Sequence, residues 1–480
     1  MRRRARGLLF GLATIVLSGV AVFLIAFGTP ARRVETPGVI RDGSGLVEIP
    51  VRDVRTPSST EEVQEILRTT RGPVSIGGAR YSMGGQVATE DATFIDTRAK
   101  LNDVLQLDVP GRWVRVEAGT TWRKLQEAID PHDLAVKIMQ TYDNFTVGGT
   151  LSVNGHGRYV NLGPVVQSVR SMELVLADGT RRHASRDENS DLFWGAIGGY
   201  GALGVITEVE LDLVENVKVE RSVVRMPADE VPNWFDAHVR GSTAAIFFNA
   251  DLYPPDFEEA VALTYASTDR ALTEPARLQT RTLSNSGERF TYWMVSEIPG
   301  GKRVRQELID ALRYARPEVV WRNYEASYDV RTLEPASRAR ATYALQEYFI
   351  PPHRFPSFLP KMRKVFRERG GNVLNVSIRY SSPDPGTLLA WAPAERFAFV
   401  VYYQQALDAR SREAGGVWTR EMIDVVLSEG GAYYLPYELH ATREQFLRAY
   451  PRAPELFALK ARVDPQNRFR NKLWDKYLPR

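Results

Sequence analysis

Three glycine-rich segments, all between residues 75 and 207, are the feature of this 480-residue chain that most constrains its fold. They cover residues 77–85, 148–157 and 198–204, and each follows or precedes a short apolar run typical of a β-strand. Glycine has no Cβ, so its backbone adopts positive φ easily and lets a ligand approach closely. Successive N–H groups in such a segment can also point at one anion. The three segments together therefore predict one extended ligand that carries both phosphates and rings.

Common nucleotide-binding motifs do not explain these segments. Residues 75–86 read SIGGARYSMGGQ, which lacks the G-x-x-x-x-G-K-[ST] pattern and does not open a long helix in the G-x-G-x-x-G manner. Residues 146–157 read TVGGTLSVNGHG and contain His156. Taken singly, each segment could be an ordinary glycine-rich loop, and His156 could be a structural histidine that bonds a backbone carbonyl.

The order of the motifs resembles one family over residues 52–215. The glycine segments, with SMELVLADG at residues 171–179 and DLFW at residues 191–194 between the second and the third, resemble the FAD domain of the vanillyl-alcohol oxidase (PCMH-type) family. The resemblance implies that the first segment binds the FAD pyrophosphate, the second runs along the flavin, and the third holds the cofactor from the other side. The implied cofactor-binding residues are Ile76, Gly77, Gly78, Ala79, Arg80, Tyr81, Ser82, Gly85, Gln86, Gly148, Gly149, Ser152, Asn154, Gly155, His156, Gly157, Gly204 and Ile206.

The pattern of helices and strands is that of an α+β protein with two folded parts. We expect a two-subdomain FAD-binding domain over residues 51–215 and an α+β substrate (cap) domain with an antiparallel sheet over residues 216–440. A helix is predicted at residues 60–70, because Ser59 and Glu62 form a capping box. Other expected elements are strands at 73–76, 93–96, 112–117, 170–176, 204–213, 244–249, 343–350, 373–380 and 397–403, and helices at 121–130, 302–315 and 357–369. Residues 34–50 are expected to be an extended linker, and residues 441–480 a helical tail that returns to the FAD domain.

The amino terminus is basic and then apolar, unlike the rest of the chain. Four arginines within residues 2–6 precede an uncharged apolar run from Gly7 to Gly28, which as a helix would be roughly 33 Å long, enough to span a bilayer. We expect residues 1–33 to be a membrane anchor, with a cleaved export signal as the alternative. The arginines should remain in the cytoplasm, with the catalytic body outside it.

Charge and composition exclude several functions. Residues 34–480 carry 56 basic and 58 acidic side chains, because six of the 62 arginines and lysines lie in residues 1–33. The body is therefore not basic, and we expect no nucleic-acid partner. The chain contains no cysteine, which excludes disulfides, thiolate metal sites and a cysteinyl flavin bond. The sequence has no metal-ligand spacing, and we predict no metal.

The carboxyl half resembles sugar-lactone oxidases, alditol oxidases and decaprenylphosphoryl-ribose oxidase. The matching segments are QEYFIP at residues 346–351, NVSIR at residues 375–379 and YLPY at residues 434–437. Arg379 is our candidate for stabilising the reduced, anionic flavin, and Tyr437, Tyr434 and Glu347 are candidates for proton transfer. The alternatives are a surface or structural salt-bridge role for Arg379, aromatic packing for the two tyrosines and a surface or salt-bridged carboxylate for Glu347.

The departures from these relatives refine the expectation. Tyr81 stands at or beside the histidine that carries covalent FAD in some members, so FAD should be noncovalent. Gly155 should leave room for dioxygen, although another electron acceptor is possible. Ser377 and Tyr437 replace a glutamate and a lysine of relatives, which puts alditol and aldonolactone substrates in doubt. We expect oxidation of a CH–OH group on a polyol, sugar, sugar lactone or lipid-linked sugar. Amine oxidation, as in cytokinin dehydrogenases, and a non-catalytic anchored binding protein are the alternatives.

Overall fold

The structure, a computed structural model, describes residues 26–27, 36–281 and 286–479. The expected membrane anchor at residues 1–33 therefore lies almost wholly outside the described residues. Within the described ranges, no helix combines the length and the apolar character needed to cross a bilayer. The described helices and strands belong to an α+β fold, as the sequence predicts.

The first subdomain of the FAD-binding region is a small parallel sheet. Its strands, in spatial order, are Asp53–Arg55, Thr93–Asp96 and Val74–Gly77. Helix Thr60–Thr69 covers it, with Val63 and Leu67 in a cluster that also contains Val74 and Ile95. The helix begins where the sequence predicts, because the Ser59 hydroxyl accepts from the backbone N–H of Glu62 at 3.2 Å. The edge strand Val74–Gly77 ends where the first glycine segment begins.

The second subdomain is a six-stranded antiparallel sheet. Five of its strands, in spatial order, are Arg181–Ser185, Val169–Val175, Val205–Glu215, Trp113–Glu117 and Val104–Asp108. The sixth, Leu134–Val136, pairs with the end of the long strand Val205–Glu215. That long strand alternates buried and half-buried residues, as expected for a strand with one face on the core. The third glycine segment leads directly into it.

The cap domain is built on an eight-stranded antiparallel sheet. The strands, in spatial order, are Val319–Trp321, Lys218–Pro227, Glu259–Ser267, Ala245–Leu252, Asn372–Ser381, Arg396–Ala406, Ala341–Ile350 and Ala432–Tyr433. Two strands of this sheet carry two of the four predicted catalytic residues: Glu347 lies on Ala341–Ile350 and Arg379 on Asn372–Ser381. One face of this sheet therefore presents these side chains toward the FAD-binding region.

The helices surround these sheets. They are Thr60–Thr69, Trp122–Ile129, Val147–Ser152, Ser190–Ala196, Val231–His238, Ser286–Glu297, Gly301–Val304, Asp310–Tyr314, Arg322–Glu325, Phe355–Arg369, Ala409–Ser428, Arg443–Ala449, Ala453–Val463 and Lys472–Tyr477. A wider, π-helical turn at Arg305–Ile309 joins two of them, so the predicted helix at 302–315 is one interrupted element. The 20-residue helix Ala409–Ser428 was not predicted.

Residues near both ends of the described chain pack on the FAD-binding region. Instead of an extended linker, residues 39–50 form a hairpin of Val39–Arg41 and Glu48–Pro50. Ile40 and Ile49 are buried in it against Phe94, so apolar burial explains why this segment is folded. At the other end, the tail lies beside strand Val74–Gly77, where the Val74 backbone N–H donates to Arg468 O at 2.7 Å.

Candidate active site

A single large cavity connects the three glycine segments to the cap sheet. Its volume is about 440 Å³, within the range of cofactor and ligand sites. All four predicted catalytic residues and most of the predicted cofactor-binding residues line it. The predicted residues that line the cavity are Ile76, Gly77, Gly78, Ala79, Arg80, Tyr81, Ser82, Gln86, Gly148, Gly149, Ser152, His156, Gly204, Ile206, Glu347, Arg379, Tyr434 and Tyr437.

The first glycine segment forms a tight cradle at the end of strand Val74–Gly77. A Cβ on Gly78 would overlap the Thr146 hydroxyl oxygen, so only glycine fits where the first and second segments meet. Gln86 fastens the segment to the cap domain, because its side-chain amide donates to the carbonyls of Leu435 and Tyr437 at 2.6 and 2.7 Å. The cradle is thus held by both domains.

The second segment is a short helix and not the open loop that its glycines suggest. Helix Val147–Ser152 begins after Thr146, whose hydroxyl accepts from the Gly149 N–H at 3.3 Å. Gly148 and Gly149 lie in the first turn, where backbone N–H groups have no partner within the helix. Both glycines line the cavity, although their N–H groups are engaged, that of Gly148 with Ala118 O at 2.7 Å and that of Gly149 with the Thr146 hydroxyl. The segment therefore presents backbone without side chains to the cavity, which lets a ligand approach closely.

The third segment is held by the carboxyl-terminal tail. The Lys460 ammonium is buried and donates to Ala202 O at 3.1 Å and to Phe469 O at 2.9 Å, while it pairs with Asp464 at 2.7 Å. The Asn471 side-chain amide donates to Tyr200 O at 2.9 Å. Lys460 was not predicted, because its contact with the third segment, at Ala202, lies 258 positions away in the chain.

Four predicted cofactor-binding residues do not line the cavity. They are Gly85, Asn154, Gly155 and Gly157. The Asn154 side-chain amide donates to Asp384 at 2.7 Å and is fully buried. A Cβ on Gly155 would lie 2.8 Å from both Gln140 Nε2 and Thr150 Cγ2. Gly155 therefore accommodates neighbouring side chains and opens no space for dioxygen, which removes the basis of that expectation.

Glu347 is the centre of a buried hydrogen-bonded chain. Its Oε1 lies 2.6 Å from His156 Nε2, and its Oε2 accepts from the Tyr437 hydroxyl at 3.1 Å. Glu347 is 2 % exposed and His156 is 5 % exposed. His156 Nδ1 lies 3.3 Å from Gly157 O. Glu347 is thus no surface carboxylate, and His156 has a specific partner in the cap domain.

The two predicted tyrosines differ in their contacts. The Tyr434 hydroxyl donates to the Val153 carbonyl at 2.9 Å. This hydrogen bond holds the second segment and uses the hydroxyl proton of Tyr434. Burial and the neighbouring Glu347 raise the pKa of Tyr437 well above its usual value, although Arg379 opposes the effect. Tyr437 therefore stays protonated near neutral pH, because burial outweighs the opposing effect of the Arg379 guanidinium.

Arg379 is the clearest sign of a group that the protein is built to hold. Its side chain makes no ion pair or hydrogen bond with the described residues, and its Nε is buried without a partner. Arg379 as a whole is half-buried and lines the cavity, and a buried guanidinium nitrogen without a partner is costly unless a ligand or water supplies one. Arg379 lies on the cavity wall that also carries Tyr437 and Ser377.

Sequence reasoning missed three polar residues of the cavity. The Arg158 guanidinium pairs with the buried Glu325 at 2.8 Å, and Asp251 and Tyr142 line the same region. Arg158 lies two residues after His156, so its position beside the second glycine segment was a usable signal. Tyr142 and Asp251 have no such signal in the sequence. For Asp251, only the fold brings its strand, Ala245–Leu252, to the site.

Comparisons with known proteins support this geometry. Residues 52–185 match the family model of an FAD binding domain. The chain is 23 % identical over 443 residues to the decaprenylphosphoryl-β-D-ribose oxidase of Mycolicibacterium smegmatis, covering 86 % of this chain and 92 % of that protein. It is 31 % identical over 189 residues to mouse L-gulonolactone oxidase, covering 39 % of this chain and 42 % of that protein.

A solved structure shares the fold. A histidine-to-alanine mutant of cholesterol oxidase from Brevibacterium sterolicum superimposes with a TM-score of 0.69 at 14 % identity, over 93 % of this chain and all of that one. The cradle at Gly78, the backbone of Gly148 and Gly149 on the cavity wall and the unpartnered Nε of Arg379 fit an anionic, ring-bearing cofactor. The chain therefore contains an FAD binding domain over residues 52–185 and is similar to FAD-dependent oxidases, which supports the resemblance to the vanillyl-alcohol oxidase (PCMH-type) family.

Proposed function

We propose that this FAD-dependent oxidoreductase oxidises a CH–OH group of a polyol, sugar, sugar lactone or lipid-linked sugar. The observation that carries the proposal is the buried chain His156–Glu347–Tyr437 beside the unpartnered Arg379. Such a chain can receive a hydroxyl proton, and an isolated guanidinium can stabilise negative charge. A decayed, non-catalytic domain would have no reason to retain these buried polar groups.

The proton path follows from the hydrogen bonds of these residues. FAD, when bound, supplies the acceptor for the hydride that leaves the substrate carbon. Tyr437 accepts the substrate hydroxyl proton at Oη as its own proton passes to Glu347 Oε2. His156 orients Glu347 through the 2.6 Å contact of its Nε2 with Oε1. Arg379 supplies the positive charge that favours an anionic reduced cofactor.

The polar lining supports a hydroxyl-rich substrate. Asn249, Asn375 and Ser377 line the cavity near Arg379 and offer both donors and acceptors to several hydroxyl groups. Ser377 and Tyr437 replace residues of alditol and lactone oxidases, so we expect a preferred substrate that differs from theirs. A lipid-linked sugar gains support from the apolar amino terminus, which would hold the protein at a membrane and the catalytic body outside the cytoplasm.

Amine oxidation is a second candidate because of Asp251. Asp251 lines the cavity and has no cationic partner among the described residues, only amide contacts to Asn249 at 3.5 Å and Asn375 at 3.4 Å. A carboxylate in this position could receive an amine N–H as readily as a sugar hydroxyl. The substrate test below separates the two functions.

The test is anaerobic bleaching of the flavin absorbance of the full-length protein. The panel contains a polyol, an aldose, a sugar lactone, a prenyl-phosphate-linked sugar and a secondary amine with an unsaturated side chain. We expect bleaching by at least one CH–OH compound, slowed in Glu347→Gln and Tyr437→Phe. Bleaching by the amine alone would replace the proposal with the second candidate. A flavin-loaded protein that no compound bleaches would contradict both.

We also propose that FAD is bound noncovalently. Tyr81 lies in the first segment and contacts Phe145 edge-on at 4.9 Å, and a tyrosine there forms no histidyl bond. Among the described residues that line the cavity, His156 is the one histidine, and Glu347 occupies its Nε2. Acid precipitation should release all flavin to the supernatant. Flavin in the pellet would contradict this, and His156→Ala would then identify the attachment site.

A further inference from the structure

The helical segment from Ser286 to Tyr314 exposes an unusual apolar surface. The side chains of Trp293, Ile298, Val304, Leu308 and Leu312 are 37, 43, 43, 55 and 65 % exposed. They are five of the ten large apolar side chains that are exposed in the part of the chain that the structure describes. We call these five side chains the apolar patch. Such a concentration on one surface commonly marks an interaction site.

The patch inverts the usual polarity of a surface helix. Val304, Leu308 and Leu312 are four residues apart, so they form one stripe along the interrupted helix. That stripe faces outward, while the charged Arg305 and Asp310 lie inside and pair at 3.2 Å. A water-facing helix normally has the opposite arrangement. The exposed stripe therefore needs an apolar partner that the described residues do not supply.

The amino-terminal segment identifies that partner. Phe27 packs on Phe290 and Trp293, with ring centroids 5.3 and 5.4 Å apart. Its carbonyl accepts from Arg289 Nε at 2.6 Å. Phe27 is the penultimate residue of the apolar run that extends from Gly7 to Gly28. The apolar environment that surrounds residues 7–28 therefore lies close to the apolar patch.

We propose that the apolar patch docks on the surface of a lipid bilayer. Trp293, next to Phe27, is the kind of side chain favoured at the membrane–water boundary. The exposed charged side chains of residues 286–316 nearly balance, with Arg303, Arg313 and Arg316 against Glu297 and Glu307. The half-buried Lys302 and Glu288 offset each other. Docking is therefore apolar in origin and should depend weakly on salt.

Docking would bring one wall of the active-site cavity to the lipid surface. Tyr292, Arg305, Arg313 and Tyr314 belong to the same helical segment and line the cavity. A substrate with a lipid chain could then reach the site without leaving the membrane. This consequence rests on the proposed function, whereas the docking itself does not.

The absence of cysteine allows a clean test. Leu312→Cys in the full-length protein, labelled with an environment-sensitive nitrobenzoxadiazole dye, is reconstituted into phosphatidylcholine vesicles. A nitroxide-bearing lipid is then added as quencher. Leu105→Cys is the matched control, because Leu105 is 46 % exposed on strand Val104–Asp108 of the FAD-binding region. We expect a blue shift and strong quenching at position 312, both insensitive to salt, and neither at position 105.

Three other results would overturn the proposal. A dye at position 312 that stays in a polar environment would mean that no bilayer covers the patch. A blue shift without lipid quenching would mean that the amino-terminal segment itself covers it. Self-quenching that grows with protein density in the vesicles would indicate a second copy of the chain. Flavin bleaching is not part of the readout, so failure of the proposed function would leave this test unaffected.

Discussion

Glu347 joins residues that are far apart in the chain into one buried unit. His156 comes from the second glycine segment, 191 positions earlier, and Tyr437 comes from a loop 90 positions later. In this setting the carboxylate has both oxygens engaged, which fixes its orientation. A general base must be held in this way if it is to receive a proton at one defined atom.

Replacing Arg379 by Ala should slow flavin reduction by roughly 10²–10³-fold, the usual effect of removing a group that stabilises charge in the transition state. Arg379 has no structural partner among the described residues, so flavin content and thermal stability should not fall. Stopped-flow reduction of the loaded enzyme measures the rate. Arg379→Lys should recover part of it, and Arg410→Ala, on an exposed helix turn, is the control. Unchanged reduction would remove Arg379 from the mechanism.

Asp42 gives a stability effect that depends on pH. It is 1 % exposed, and burial, with a smaller contribution from Glu438, raises the pKa of its carboxyl from 3.8 to about 6, although Ser44 and Gly45 donate to it. Its Oδ2 has no partner. The folded state therefore holds the proton more tightly than the unfolded state. The contribution of Asp42 to the free energy of unfolding is therefore fully present below about pH 4. It is lost as the pH rises through about 6.

Asp42→Asn should remove this dependence, because the amide is neutral at every pH. A shift of about two pKa units corresponds to at most about 3 kcal/mol. We expect the free energy of unfolding of the unsubstituted protein to fall between pH 4.5 and pH 7 by part of that amount, and that of the variant to fall less. Denaturant titration at both pH values measures this. Asp256→Asn, at an exposed position, should behave like the unsubstituted protein. The same change in the free energy of unfolding between the two pH values in all three proteins would contradict this role of Asp42.

At the scale of elements, the junction of the first two glycine segments is the tightest part of the site. Gly78→Ala should lower flavin content strongly, because the new methyl group would overlap the Thr146 hydroxyl that caps helix Val147–Ser152. Absorbance at the flavin band relative to protein after purification measures occupancy. Gly287→Ala is the matched control, since nothing lies within 4 Å of the added carbon. Full flavin occupancy in Gly78→Ala would contradict the prediction, because it would show that the cradle accepts a methyl group at this position.

Some helices and strands could be predicted from the sequence and others could not. Strands such as Thr93–Asp96 were predictable because apolar β-branched runs of that length have few alternatives. Helix Ala409–Ser428 was missed because Gly415 and Gly416 break the pattern of a helix. A Cβ on Gly415 would collide with Gln405 of the adjacent strand, so that glycine serves close packing. Likewise Asn154 belongs to a recognisable motif, but its partner Asp384 is 230 residues away and only the fold reveals it.

At the scale of the whole molecule, Lys460 couples the tail to the third glycine segment. Burial lowers the pKa of its ammonium, and Asp464 offsets part of that effect. Lys460→Met would leave Asp464 charged and buried, which typically costs about 3–5 kcal/mol. We expect lower thermal stability together with reduced flavin content, measured by flavin and tryptophan fluorescence in one melt. Lys364→Met, at a site whose side chain is 68 % exposed, should change neither; an unchanged melt for Lys460→Met would contradict the coupling.

The contact between strand Val74–Gly77 and the tail also has a consequence for biosynthesis. Val74 pairs with Phe469, and the Ser75 hydroxyl donates to Arg470 O at 2.7 Å. During translation, this edge of the cofactor sheet therefore lacks its neighbour until residues 469 and 470, nearly 400 positions after Val74, have left the ribosome. The whole cap domain is synthesised in that interval. The cofactor sheet is thus completed after the cap domain, so stable flavin binding should follow the synthesis of both domains.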